Sequence, residues 1–228
     1  MGQRMKAVIF DMDGVIFDSE KVICDLWEEL AKEYNLANME ELMIKCIGLN
    51  DKATFQCFKD MYGEDVDYEF YKGIVSKRYH EKYDGGRLPM KPGVNELLSY
   101  LKEKGIKVAL ASSTRTSTVV SQLKDAGIYK YFDKVICGDM VERSKPEPDI
   151  FLKAAEELGV SAEEAFIIED SYNGIRAAHA AKAKPVMVPD LIAPNDEISA
   201  LTHKILPNLI KVMEYFEEIG DWDAFGNC

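Results

Sequence analysis

Val8–Glu20 reads V-I-F-D-M-D-G-V-I-F-D-S-E. It begins as the apolar run of a buried strand and then carries two carboxylates, Asp11 and Asp13, one residue apart. Gly14 and a second apolar run follow directly. Two like charges this close repel, and each is better solvated in water than beside apolar chain. Either the strand ends in an ordinary surface turn, or something positive is meant to sit between the two aspartates.

The sequence further along shows what kind of strand this is. From Ile106 onward, short β-rich runs alternate with helical periods. KVALASS (107–113) is a strand ending in hydroxyls, and TSTVVSQLKDAGI (116–128) has helical apolar spacing with Gly127 as its stop. DKVICG (133–138), AFIIED (165–170) and PVMVP (185–189) are further strands, separated by the helical stretches PDIFLKAAEELGV (148–160) and NGIRAAHAAKA (173–183). Together with KAVIFD (6–11), this alternation predicts a Rossmann-like α/β core, a parallel sheet with helices on both faces.

Between Ser19 and about Arg87 the character changes. SEKVICDLWEELAKEY carries a helical stripe at Val22, Leu26 and Leu30, and further helical stretches cover roughly 38–47, 51–62 and 67–83. With no strand among them, they cannot extend the sheet, so the pattern predicts an inserted all-α cap domain. D-G-G-R-L-P-M-K-P-G (84–93) is the return link. The expected division is a core of 1–18 and 88–228 with a cap of 19–87. The segment ILPNLIKVMEYFEEIG reads as an amphipathic helix on the core, followed by a loose tail.

A chain of 228 residues that is 47% hydrophobic and 30% charged is ordinary for a globular protein, which argues against disorder. The net charge of −12 argues against nucleic acid, whose phosphates require a basic face. A phosphorylated small molecule stays possible, because a metal or one lysine can set the field inside a cleft. The five cysteines, Cys24, Cys46, Cys57, Cys137 and Cys228, are scattered without a C-x-x-C pair. They read as free thiols of a reducing compartment. With no signal-peptide core and no apolar run of spanning length, the expectation is a soluble, cytoplasmic monomer that binds neither membrane nor nucleic acid.

In open parallel sheets, ligands collect at the C-terminal strand ends. Those ends here hold Asp11 and Asp13, then Ser112 and Ser113, then a loop with Lys145 before P-E-P, then Glu169 and Asp170. The set suits phosphoryl transfer. Magnesium prefers hard oxygen ligands, which Asp11 and Asp170 can supply, and it would relieve the repulsion at the first strand. Lys145 and the Ser112 hydroxyl can neutralise and hold a phosphoryl group. One carboxylate can act as nucleophile, and the other, two residues away, can donate a proton to the leaving oxygen and then activate water.

The runs D-M-D-G-V-I-F-D-S-E, the strand-ending Ser112, S-K-P-E-P-D-I-F and I-I-E-D-S-Y-N-G-I resemble the four motifs of the haloacid dehalogenase superfamily. The likeness is closest to its β-phosphoglucomutase-like sugar-phosphatase branch and spans Val8 to about Pro185. It implies that Asp11 is the nucleophile and a magnesium ligand. It makes Asp13 the general acid/base, with its backbone carbonyl on the metal. It assigns Ser112 and Lys145 to the phosphoryl group, Asp170 to magnesium, and Glu169 to a water on that ion. The helical insert would close over a small phosphorylated substrate.

Taken singly, each motif has a bland alternative: D-x-D-G as a turn, Ser112-Ser113 and E-D-S-Y-N-G as helix caps, Lys145 as a solvated charge. Their order, each at a strand end with a helical insert in the expected gap, favours the functional assignment. His80, His179 and His203 lack ligand spacing, and His179 reads as structural. Trp27 reads as cap core, and Lys52, Lys77 and Arg78 as surface charge.

Asp13 argues against dehalogenation, which needs no proton donor for a leaving oxygen. A phosphonatase would require a cap lysine, for which Lys21 is the nearest candidate. Mutases of the branch resembled carry a histidine ten residues after the general acid, where this chain has Ile23, and a cap arginine shortly after a glycine matching Gly48. Here that neighbourhood is G-L-N-D-K, with Asp51 about where the arginine would be and Lys52 beside it. The expectation is therefore a magnesium-dependent phosphatase acting through an aspartyl-phosphate. A phosphosugar mutase is the alternative, and a non-catalytic magnesium-binding module is a more distant one.

Overall fold

The computed structural model describes residues 5–47, 49 and 51–220. Six strands form one sheet: β1 (Ala7–Phe10), β2 (Lys107–Ser112), β3 (Lys134–Cys137), β4 (Ala165–Glu169), β5 (Lys184–Met187) and β6 (Lys204–Ile205). Their order is β3-β2-β1-β4-β5-β6, and every pairing is parallel. The chain moves outward from β1 through β2 to β3, then restarts on the other side of β1 with β4. This reversal opens a crevice at the C-terminal ends of β1 and β4, where open α/β sheets bind ligands.

The period of two along a strand sends alternate side chains to opposite faces. Val8 and Phe10 of β1 join an apolar cluster with α5 (Val94–Glu103), α6 (Thr116–Asp125) and α10 (Leu209–Ile219). Ala7 and Ile9 face a second cluster built on α7 (Asp149–Leu158) and α8 (Tyr172–Ala180). Small residues dominate that second face, with Ala154, Ala155, Ala177 and Ala178 all buried, so these helices can approach the sheet closely. Both faces of β1 are covered, which is why its four residues can be apolar without alternation. Losing a ring such as Phe10, whose centroid lies 6.2 Å from that of Phe132 in an edge-to-face pair, would cost about 3–5 kcal/mol.

Four consecutive helices fill the gap between β1 and α5: α1 (Ser19–Tyr34), α2 (Met39–Cys46), α3 (Asp51–Tyr62) and α4 (Tyr68–Tyr83). In α1 the buried residues Val22, Leu26 and Leu30 recur every four positions, and the helix stops at Asn35 in the left-handed conformation that asparagine tolerates. Asp67 caps α4 by accepting the Phe70 N–H at 3.1 Å. Trp27 is buried as expected, with Phe58 at 4.8 Å and Tyr68 stacked at 6.1 Å. The chain leaves for these helices and returns from them at one place. Asp18 N–H donates to Pro89 O at 2.9 Å, and Lys91 Nζ lies 3.1 Å from Asp18 Oδ1.

The expected strands all form, each within a residue or two of its predicted ends. α5, α9 (Asp196–Leu201) and β6 are additions the pattern did not suggest. Cys24, Cys46, Cys57 and Cys137 are free thiols, and Cys228 lies outside the described residues, as does the tail from 221 onward. Among the described residues, no helix is long and apolar enough to cross a membrane.

Candidate active site

Three strand ends deliver the central residues. β1 runs straight into Asp11, whose N–H still pairs with Ile168 O of β4 at 2.9 Å. β4 ends on Glu169, followed by Asp170, so register alone places these carboxylates side by side. Asp11, Glu169 and Asp170 are all buried, and each offers an oxygen within 4.8 Å of the others.

The Lys145 ammonium enters this group from the loop after β3. Its Nζ lies 2.5 Å from Asp11 Oδ1 and 2.7 Å from Glu169 Oε1, and it donates to Ala111 O of β2 at 3.3 Å. One ammonium thus bridges the ends of β2, β1 and β4. Burial works against its charge, but Asp11 and Glu169 more than offset that, and its pKa rises. Glu169 has little left to offer a ligand. Its Oε2 accepts from the Asp170 N–H, the Ser171 N–H and the Ser171 hydroxyl at 2.9–3.0 Å, so its carboxylate orients Lys145.

Three acids and one lysine leave a surplus of negative charge. Burial pushes the Asp11 carboxyl well above its ordinary value; Lys145 pulls it down, while Glu169 and Asp13 add to the rise. Asp170 is raised by burial and then by Glu169, Asp11, Glu20 and Asp190. Glu20, on the first turn of α1, is pushed up to about 7 by burial, then by Asp13, Asp190 and Glu169. Buried carboxylates that resist ionisation unless a cation joins them could hold a hard divalent ion, and Asp11, Glu169 and Asp170 are close enough to do so. Gly14 makes room for this arrangement. Its φ is +77°, and a Cβ there would lie 2.2 Å from Asp170 Oδ2.

Asp13 stands apart from the trio. Its Oδ1 accepts the Ser19 hydroxyl at 2.7 Å and its Oδ2 the Thr114 hydroxyl at 3.0 Å. Ser112 is fully buried at the end of β2, where its oxygen accepts the Thr114 N–H at 3.0 Å while its proton stays free to donate. The cavity wall beside it is formed by Ser113 and Thr114. Of the residues singled out from sequence, the structure gathers Asp11, Lys145, Glu169 and Asp170 into one cluster. Asp13 faces the same cavity, and Ser112 lies behind its wall.

The cavity has a volume of about 690 Å³ and lies between these strand ends and helices α1–α4. Ile23, Trp27 and Tyr79 line its helical side. Lys21 does not. It is exposed and lies 3.0 Å from Asp25, so it offers nothing to a phosphonatase-type reaction. Lys52 is exposed, Lys77 lies 3.8 Å from Glu81, and Arg78 lies 2.6 Å from Glu33; none of the three lines the cavity. Gly48 falls outside the described residues. His179 does not line the cavity, and its Nδ1 lies 3.2 Å from Leu201 O.

Ser19, Glu20 and Thr114 were not picked out from sequence. The signal for the first two was present in D-S-E, directly after the paired-aspartate run, but Ser and Glu at a helix start are also ordinary capping residues. Thr114 carried no signal of its own.

The chain belongs to the haloacid dehalogenase-like hydrolase family, which it matches over residues 8–188. It is 34% identical over 180 residues to the phosphorylated carbohydrates phosphatase of Thermotoga maritima, covering 78% of this chain and 82% of that one. It is 28% identical over 223 residues to the beta-phosphoglucomutase of Bacillus subtilis, covering 89% and 94%. Among solved structures, it resembles a HAD family hydrolase of Deinococcus radiodurans R1, solved with bound phosphate and sodium. That TM-score is 0.81 at 24% identity, over 97% of this chain and 99% of that one, and the likeness shows the fold.

Proposed function

We propose that the protein is a magnesium-dependent phosphatase that hydrolyses a small phosphorylated metabolite, in the class of sugar phosphates, through an aspartyl-phosphate on Asp11. The observation that carries this is the pairing of Asp11 with Lys145 at the strand ends, with Asp13 held across the same cavity by Ser19 and Thr114. The relative named for phosphorylated carbohydrates supports the substrate class.

Asp11 and Asp170 would hold the magnesium ion, with the backbone carbonyl of Asp13; the ion supplies charge neutralisation at the phosphoryl oxygens. The Asp11 carboxylate attacks phosphorus, and the bond from phosphorus to the leaving oxygen breaks. Asp13 gives its proton to that oxygen. Water then attacks the phospho-aspartate, Asp13 takes the proton of that water, and the Asp11 carboxylate is released. Lys145 neutralises and holds the phosphoryl group through both steps, while Ser112, behind the cavity wall, fixes the Thr114 backbone of that wall by accepting its N–H. Residues 19–87 act as a cap over a core of 1–18 and 88–228, a division supported by the contact of Asp18 with Pro89 and Lys91 where the chain leaves and returns.

A mutase must shield the phospho-aspartate from water and pass it to a second sugar hydroxyl. Ile23, where mutases of the branch resembled carry a histidine, is an apolar side chain on the cavity wall, which favours hydrolysis. The test is phosphate release from a panel of sugar phosphates, with magnesium and with chelator, alongside conversion of β-glucose 1-phosphate. Metal-dependent release is the expected result. Isomerisation without free phosphate would make the protein a mutase, and no turnover of any phosphomonoester would leave a binding module.

A further inference from the structure

The cavity has two ends of different character. At the strand end, Lys145 and the carboxylate trio define where one phosphoryl group is handled. At the helical end, Lys72 of α4 is the one lysine or arginine among the described lining residues. That ammonium is engaged. Its Nζ lies 2.5 Å from Asp51 Oδ2, and it also sits 5.6 Å above the Tyr68 ring. Asp51 is held in turn, its Oδ1 accepting the Tyr68 hydroxyl at 3.2 Å. His80, the remaining base on this wall, has its Nδ1 3.0 Å from both carboxylate oxygens of Asp84. Gln122 Nε2, a further N–H donor on this wall, is taken up by the Tyr79 hydroxyl at 2.8 Å, and Ile23 and Leu49 have no side-chain donors.

A second phosphate on the substrate would carry close to two negative charges at neutral pH and would need cations or N–H donors. At this end it would have to displace Asp51 from Lys72 and would face the Asp51 carboxylate at close range. We propose that Asp51 is a specificity-determining residue. By occupying Lys72 it disfavours substrates whose leaving group bears a second phosphate, and it restricts the enzyme to monophosphates with an uncharged leaving group. This rests on the phosphatase function proposed above.

The test uses the full chain with magnesium and measures kcat/KM for matched pairs: glucose 6-phosphate with glucose 1,6-bisphosphate, fructose 6-phosphate with fructose 1,6-bisphosphate, and ribose 5-phosphate with ribose 1,5-bisphosphate. p-Nitrophenyl phosphate reports the chemistry independently of the sugar. The expected result is a preference of about tenfold or more for the monophosphate in the best pair. Asp51→Asn should narrow that ratio by about two- to fivefold, the scale of one exposed ion pair. Removing Lys72 as well, in Asp51→Asn/Lys72→Ala, should abolish the gain, because the freed ammonium is what the second phosphate would use.

A bisphosphate handled as well as its monophosphate overturns the proposal, and the wild-type ratio decides this even if the variant does not fold. So does a ratio unmoved by Asp51→Asn, a gain that survives loss of Lys72, or turnover of p-nitrophenyl phosphate with no sugar monophosphate accepted. If p-nitrophenyl phosphate is not hydrolysed either, the phosphatase assignment itself has failed and this proposal falls with it.

Discussion

The Ser19 hydroxyl donates to Asp13 Oδ1 at 2.7 Å, so the proposed proton donor is tied to the first residue of α1. Its other oxygen is held by Thr114, in the loop that follows β2. Asp13 is thus clamped between the start of the helical segment and the sheet edge.

If the clamp aligns Asp13 with the leaving oxygen, Ser19→Ala and Thr114→Ala should each lower kcat by about three- to thirtyfold while moving KM little, since alignment matters most in the transition state. Steady-state kinetics on one sugar phosphate check this. An equal rise in KM with kcat unchanged would mean that the two hydroxyls serve binding instead.

Asp13→Asn separates proton donation from phosphoryl transfer. An alkyl leaving oxygen departs poorly without a proton, whereas p-nitrophenolate leaves without one. The variant should therefore lose about 10²- to 10⁴-fold on a sugar phosphate and markedly less on formation of the phosphoenzyme from p-nitrophenyl phosphate. The burst of p-nitrophenolate measures that first step. Equal losses on both substrates would remove Asp13 from the role of leaving-group acid.

Much of this site was legible because the sheet is parallel: every strand end points the same way, so Asp11, Lys145 and Asp170 could be grouped from strand positions alone. What sequence could not give was which groups hold the catalytic side chains. Ser19 and Thr114 are separated from Asp13 by 6 and 101 positions, and nothing in their local pattern says that both reach it. The helices of residues 19–87 were read at the right positions, and Lys52, Lys77 and Arg78 were read as the surface charges they are, but Lys72 was not singled out. Lys52, Lys77 and Arg78 attract notice as charges, yet Lys72 lines the cavity, because rotation about a helix axis decides which charge faces inward. α4 lacks a clear apolar stripe to fix that rotation in advance, having only Tyr68 and Val75 buried. β6 was missed because two exposed residues at a sheet edge carry no alternation to detect.

Gly14→Ala tests the close approach of the first motif to Asp170. The new methyl group would meet Asp170 Oδ2 at 2.2 Å, on a backbone with φ +77° that alanine adopts only under strain. The expected loss is about 2–4 kcal/mol of stability, together with weaker metal binding, because Asp170 must move. Denaturant unfolding with and without magnesium checks both, and magnesium should recover less stability in the variant than in the wild type. Unchanged stability and unchanged stabilisation by magnesium would show that Asp170 can shift without consequence.

Glu20 gives the chelated protein a pH dependence of known sign. Its folded value is about 7 against an ordinary value of 4.5, and burial is the main cause, followed by Asp13, Asp190 and Glu169. Between those two values the folded protein keeps a proton that the unfolded chain has released, so stability falls as pH rises through the window. Above it, ionised Glu20 costs the fold up to about 3 kcal/mol. Glu20→Gln keeps the shape and removes the charge. In chelator, the variant should match the wild type near pH 4 and exceed it near pH 8. Asp11 and Asp170, which are raised in the same direction, are common to both proteins and largely cancel in the difference. Adding magnesium should shrink the gap at pH 8, because the ion neutralises the charge that makes ionised Glu20 unfavourable. Unfolding curves across this range, with and without the metal, decide it. A difference between the two proteins that does not change with pH would show that Glu20 titrates normally and that the surplus charge is confined to Asp11 and Asp170.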